Sequence, residues 1–235
     1  MTRSIAAQTI DELGGPDSVL VRQRNDHEEL DRLLRELDGT VDRAQNEVLR
    51  RINRLVFSHA FAEETVLWPA LRRVLPDGNE LTLRVEEEHQ EVNELVTELE
   101  TLGQDDPRRA QRLSRLVDVL RNDVRDEEDL LLPRLQEQLD PHELRRLGRQ
   151  WQLARAISPT RAHPTVSRRP PGNAFSGLPL SLLDRSRDLV DRGVERAPEQ
   201  TVRLGNALSH GLAALAGLVE RIPLSRKGDR EPTSR

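Results

Sequence analysis

Between Leu20 and Leu135 the apolar residues recur at intervals of three and four, and that period decides what the chain is able to fold into. Such spacings share one face of an α-helix, whereas a half-buried strand needs alternation. Four stripes follow this rule. The first carries Leu20, His27, Leu30, Leu34 and Leu37 and ends at Asp38-Gly39; the second carries Val41, Val48, Ile52, Leu55, His59, Val66 and Ala70 and breaks at Pro76-Asp77-Gly78. The third carries Leu81, Val85, His89, Val92, Val96, Leu99 and Leu102 and stops near Gly103. The fourth opens after Asp106-Pro107, where proline suits a first helical position. It carries Leu113, Leu116, Leu120, Asp123, Glu127, Leu131 and Leu135 and closes at Asp140-Pro141. Four amphipathic segments with short breaks predict an all-α protein, an up-down four-helix bundle over residues 15–140.

The predicted bundle repeats itself. Displaced by 64 residues, HAFAEETVLWPAL (59–71) lies over DVRDEEDLLLPRL (123–135), matching Glu63 to Glu127, Glu64 to Glu128, Leu67 to Leu131 and Pro69 to Pro133. Displaced by 62, DHEELDRLLREL (26–37) lies over EHQEVNELVTEL (88–99), matching His27 to His89. The bundle therefore reads as a duplicated helical hairpin with a pseudo-two-fold axis through its core. One column breaks the symmetry, since His59 falls on Asp123.

A core stripe normally excludes charge, because an unpaired buried charge costs many kcal/mol. These stripes nevertheless carry His27, His59, Glu63, His89, Asp123 and Glu127. His59/Glu63 and Asp123/Glu127 are four residues apart, so each pair faces one way, while His27 and His89 arrive from the other two helices. Six nitrogen and oxygen donors converging from four helices suit two metal ions, with carboxylates as bridges and imidazoles completing each sphere. An isolated histidine on an apolar face is usually a hydrogen-bonded core residue, but three of the chain's six histidines lie on these stripes and two of them are related by the repeat. Glu64 and Glu128 sit a step around the helix and read as surface groups more than as outer supports of the site. The chain has no cysteine, which excludes disulfides, iron–sulfur clusters, thiolate zinc sites and cysteine nucleophiles.

The segments DHEEL (26–30), HAFAEETVLWPAL (59–71), EHQEV (88–92) and DEEDLLLPRL (126–135) resemble the hemerythrin-like HHE cation-binding domain family, over roughly residues 15–140. The resemblance implies a non-haem di-iron centre, oxo- or hydroxo-bridged, in a four-helix bundle; manganese stands as the alternative metal. Carried over by position, the implied ligands are His27, His59, Glu63, His89 and Glu127. Asp123 departs from the family pattern, which has histidine there, and its shorter arm requires closer approach or an intervening water. Family members bind dioxygen, sense oxygen or iron, or act on peroxide and nitrogen oxides. The leading expectation is thus a protein of oxygen or oxidative-stress chemistry that binds or reacts with dioxygen or peroxide. The rival is a non-enzymatic iron- or oxygen-responsive module whose tail engages a partner, and whether the chain turns over a substrate stays open.

The remainder differs in charge. Residues 1–140 carry 32 acidic and 19 basic side chains, and residues 141–235 carry 9 and 17, so an acidic body precedes a basic tail. Eight of the 14 prolines fall from Pro159 onward. Residues 141–157 read as a fifth helix pinned by Trp151, 158–179 as a Pro-rich linker, 180–223 as an amphipathic helical tail and 224–235 as disordered. Because every expected ligand precedes Pro141, removal of residues 159–235 is expected to leave a folded, metal-bearing bundle. For the tail, docking on its own domain comes first, self-association into a homo-oligomer second and weak membrane-surface binding third. An aromatic content of 2% and no recognised motif argue against nucleic acid. No apolar run approaches the roughly 20 residues that span a bilayer, and the N-terminus lacks a secretory stretch, so the expected location is cytoplasmic.

Overall fold

The computed structural model describes residues 3–196, 199–228, 230 and 233. Among them every regular element is helical. Helix α1 (Val19–Asp38) starts where the Ser18 hydroxyl accepts the Leu20 N–H at 3.2 Å, and Gly39 closes it. Helix α2 (Asp42–Ala62) runs without a break in direction through a π-helical turn, Glu63–Leu67, into α3 (Trp68–Val74). The second half follows the same plan. Helix α4 (Gly78–Thr101) precedes α5 (Pro107–Asp126), which continues through a π turn, Glu127–Leu131, into α6 (Leu132–Gln138). Helix α1 packs on α2 and α5, and α4 packs on α5 and α3.

The two π turns have a local cause. Pro69 and Pro133 each lie one residue into the helix that follows, and a proline there supplies no N–H and crowds the carbonyl four residues back. The preceding turn widens instead, and the Trp68 and Leu132 N–H groups reach the Glu63 and Glu127 carbonyls five residues earlier. The widening also corrects a drift. His59, Glu63, Leu67 and Leu71 follow one another at steps of four, as do Asp123, Glu127, Leu131 and Leu135. Four residues overshoot an α-helical turn by about 40°, so three such steps in a row hold one face only if a turn is underwound. Leu67, Leu71 and Leu135 are accordingly fully buried below the carboxylates.

Apolar packing divides into two clusters with the polar layer between them. One end gathers Leu20, Leu67, Trp68, Leu71, Leu132 and Leu135. The other gathers Leu33, Leu34, Ile52, Val96, Leu116 and Leu120. Residues ahead of the expected start at 15 join the first cluster, since Ile5 and Leu13 are buried in it.

Helix α7 (Pro141–Ala156) lies against α1 and α2, capped by a reciprocal Asp140/Glu143 box. The approach is close. A Cβ on Gly148 would stand 2.0 Å from the Asp17 carbonyl oxygen, so only glycine fits. Residues 158–179 do not behave as the expected linker. Ser158, Thr160, His163, Val166 and Ser167 are buried, and the stretch from Gly172 belongs to α8 (Gly172–Arg196). Helix α9 (Glu199–Glu220) packs back along α8, so the helical tail expected over 180–223 forms a hairpin of two helices. Its corner, Ala197-Pro198, lies outside the described residues. Of the segment 224–235, expected to be disordered, Pro223–Arg226 form a 3-10 turn; residues 229, 231, 232, 234 and 235 lie outside the described residues.

Candidate metal centre

Each of the four long helices sends polar side chains into the layer between the apolar clusters. His27 comes from α1, His59 from the end of α2, His89 from α4 and Asp123 from the end of α5; Glu63 and Glu127 open the two π turns. Two groups of potential ligands result, His27/His59/Glu127 and Glu63/His89/Glu127, with Glu127 common to both. The His27 and His59 Nε2 atoms face each other at 3.3 Å. Glu63 divides its oxygens, Oε1 lying 3.3 Å from His59 Nε2 and Oε2 3.3 Å from His89 Nε2. The Glu127 Oε2 is 3.2 Å from His27 Nε2. Five of the six expected residues therefore meet. Asp123 stands at the margin, its Oδ2 4.0 Å from His89 Nε2 and outside both groups.

The donor set tests whether cations fit. Glu63 Oε2, both Glu127 oxygens and Asp123 Oδ1 are buried without a hydrogen-bond partner. Buried carboxylate oxygens are rarely left so, and an unpaired ionised group at such depth is strongly destabilising. Cations placed within the two groups would give the Glu63 and Glu127 oxygens partners, and the donors are those that iron and manganese accept.

Behind the ring nitrogens that face inward, each imidazole has a carboxylate on its Nδ1. Glu128 meets His27 at 2.9 Å, Asp26 meets His59 at 3.0 Å and Glu64 meets His89 at 3.0 Å. Glu64 and Glu128 thus face inward and support the site, contrary to the surface position expected for them. They do so crosswise: a residue of the first half holds the histidine of the second, and the reverse. Asp26 is in turn held by Arg155 of α7, and Trp151 sets its edge on the His59 ring at 5.1 Å between centroids. Gln23, fully buried one turn before His27, donates to Glu63 Oε1 at 2.8 Å. Sequence reasoning passed over Asp26 and Gln23. The signal for Asp26 was its place beside His27 in DHEEL, matched by Glu88 in the repeat; for Gln23 it was a polar residue one turn before a stripe histidine.

Electrostatics separate the two halves. Burial alone depresses an imidazole, yet the facing carboxylates carry His59 and His89 well above the ordinary histidine value, and His27 is raised by Glu127 and Glu128. Burial pushes Glu63 up, but His59 and His89 outweigh it and hold the carboxylate far below its usual range. Asp123 goes the other way. Burial, and then the negative charge of Glu127, raise it well above an ordinary aspartate. Glu88, at the place the repeat gives to Asp26, is raised chiefly by burial, with Asp123 beside it. The first half sets a histidine against a carboxylate there; the second sets two carboxylates together.

A helical protein with a buried centre of histidines and shared carboxylates is, by class, a cation-binding bundle. Residues 17–135, just over half of the chain, match the hemerythrin HHE cation-binding domain, and the chain belongs to that family. It is 25% identical over 154 residues to a hemerythrin-like protein of Schizosaccharomyces pombe, covering 65% of this chain and 74% of that one. It is also 25% identical over 134 residues to a DNA nickase of Nostoc sp., covering 57% of this chain but 38% of the nickase. No solved structure matches.

Proposed function

We propose that the chain is a non-haem di-iron protein whose centre binds or reacts with dioxygen or peroxide. One observation carries the reading: Glu127 belongs to both ligand groups, and Glu63 turns one oxygen toward each. Two cations held by bridging carboxylates inside a doubled up-down helical bundle call for that arrangement. His27 and His59 would hold one ion and His89 the other, with Asp123 completing the second sphere directly or through water. Bound iron supplies two one-electron redox centres beside each other.

The chain's own residues supply the rest. Asp26, Glu64 and Glu128 accept the Nδ1 protons, which fixes the tautomer and leaves each Nε2 lone pair directed inward. Beside the ligands lies a cavity of about 20 Å³, walled by Leu30, Phe57, Val92 and Leu120. Space of that order admits a molecule near the size of water, which suits dioxygen or peroxide and turns away larger substrates. Peroxide given in excess to the di-ferrous protein should be consumed over many turnovers. A single stoichiometric oxidation followed by arrest would instead favour the second reading, an iron- or oxygen-responsive binding module. That reading draws support from Asn93, which donates to the His89 carbonyl at 2.8 Å and accepts the His163 N–H at 2.9 Å, tying the ligand helix to the tail.

A further inference from the structure

The α8–α9 hairpin leaves a broad apolar surface with nothing over it among the described residues. On α9, Leu204, Leu208, Leu215 and Leu218 are 50–66% exposed and recur at a heptad-like spacing, so they form one stripe, and Ile222, two residues past the helix end, is 40% exposed. Ala207, Gly211 and Ala214 extend it with small exposed residues. On α8, Phe175, Leu178, Leu182 and Leu189 are 44–64% exposed and form a second stripe. Monomeric proteins seldom expose contiguous apolar area on this scale without using it.

Charge on the hairpin is sorted by side. Asp184, Asp188, Asp191 and Glu220, the acids of α8 and α9 whose side chains are described, turn inward. Asp184 and Glu220 flank His163 at 3.1 and 3.0 Å, and Arg161 pairs with Asp188 at 2.8 Å and Asp191 at 2.6 Å. Asp188 also pairs with Arg54 of α2 at 2.9 Å. The exposed charges are basic. Arg185 and Arg192 border the α8 stripe two turns apart, Arg203 borders the α9 stripe, and the exposed Arg221 follows directly after that helix. Lys227 follows, also exposed.

We infer that this hairpin is a docking face for an anionic lipid bilayer surface, its leucines entering the headgroup boundary while the arginines meet lipid phosphates and carboxylates. Apolar stripes whose exposed charged neighbours, among the described side chains, are cations match what an interfacial helix presents to such a surface. The mode is surface binding, since no described helix is long and apolar enough to cross a membrane. A second copy fits less well, because a two-fold pairing would set arginine edges against each other around the leucines. A nucleic acid backbone would satisfy the arginines and leave the leucines in water.

Flotation of the full-length chain with vesicles tests the inference, using phosphatidylcholine alone or with about one-third phosphatidylserine. The chain should float with the anionic vesicles, less so at high salt, and little with the neutral ones. Arg203→Gln with Arg221→Gln should weaken anionic binding about 30-fold, at roughly fivefold for each cation near the surface. Leu208→Glu with Leu215→Glu should abolish flotation while leaving helix content unchanged, since both side chains are at least half exposed. Failure to float with anionic vesicles would overturn the proposal. So would a concentration-dependent dimer that the leucine pair dissolves in the absence of vesicle binding, or retention of duplex DNA without vesicle binding.

Discussion

At the residue scale, the carboxylates have separable duties. Glu63 and Glu127 touch the inward Nε2 atoms, whereas Glu64 and Glu128 touch only Nδ1 atoms. Glu63→Ala or Glu127→Ala should therefore empty at least one of the two metal positions. Glu64→Ala or Glu128→Ala should weaken metal about 10- to 100-fold, the usual effect of losing a ligand's outer partner. Metal content after graded chelation separates the two classes, and equal losses from all four would refute the assignment. Asp123 has its own test. Its shorter arm leaves it 4.0 Å from His89 Nε2, and Glu88 already stands where Asp26 supports His59. Asp123→His would restore the repeat and find a carboxylate waiting for its Nδ1, so the weaker iron should bind more tightly in a stepwise titration. Isotherms identical to wild type would show that Asp123 takes no part. The six residues of the layer were legible in the sequence because charge on an apolar stripe is anomalous. The carboxylates behind them were not, because an acid beside a surface acid looks like a solvated face until the neighbouring helix is in place.

At the element scale, the segment after α7 changes the expectation for truncation. The chain read as a linker because prolines and arginines are frequent there, but those arginines are partners of buried acids. Arg169 donates to Glu86 at 2.7 Å, and Arg168 Nη1 lies 3.8 Å from Glu64, the support of His89. Removing residues 159–235 should consequently lower both melting temperature and metal retention, where the sequence alone predicted neither loss; unchanged values in calorimetry and metal analysis would restore the linker view. His163 supplies a pH signature. Burial lowers it, but Asp184 and Glu220 outweigh that and raise it to about 9. A histidine raised on folding contributes fully below its unfolded value near 6.5, and that contribution fades as the pH rises through 9. The gain is on the order of 3 kcal/mol at most. Thermal melts of wild type and His163→Gln should differ most at pH 6 and converge by pH 10; a constant difference would contradict the clamp. The π turns were equally unread, although three successive four-residue steps running past Pro69 and Pro133 were their signature.

At the scale of the whole molecule, the period of the apolar residues carried the all-helical fold, and the self-similarity of the halves carried the matching placement of Glu63 and Glu127 at the two π turns. What they did not carry was long-range. The packing of residues 5–13 against the second half and the seating of His163 on Asn93 and Glu220 depend on partners more than 50 residues away, which no local pattern encodes. The architecture that results places a polar layer between two apolar clusters, and cations in that layer would relieve its unpaired buried carboxylates. Iron content per chain, measured after anaerobic reconstitution and removal of loosely bound metal, tests this most directly. The account predicts about two irons per chain, from two ligand groups sharing Glu127, with a near-ultraviolet oxo-bridge band after air oxidation. A well-folded chain that retains no iron, or saturates at one, would contradict it.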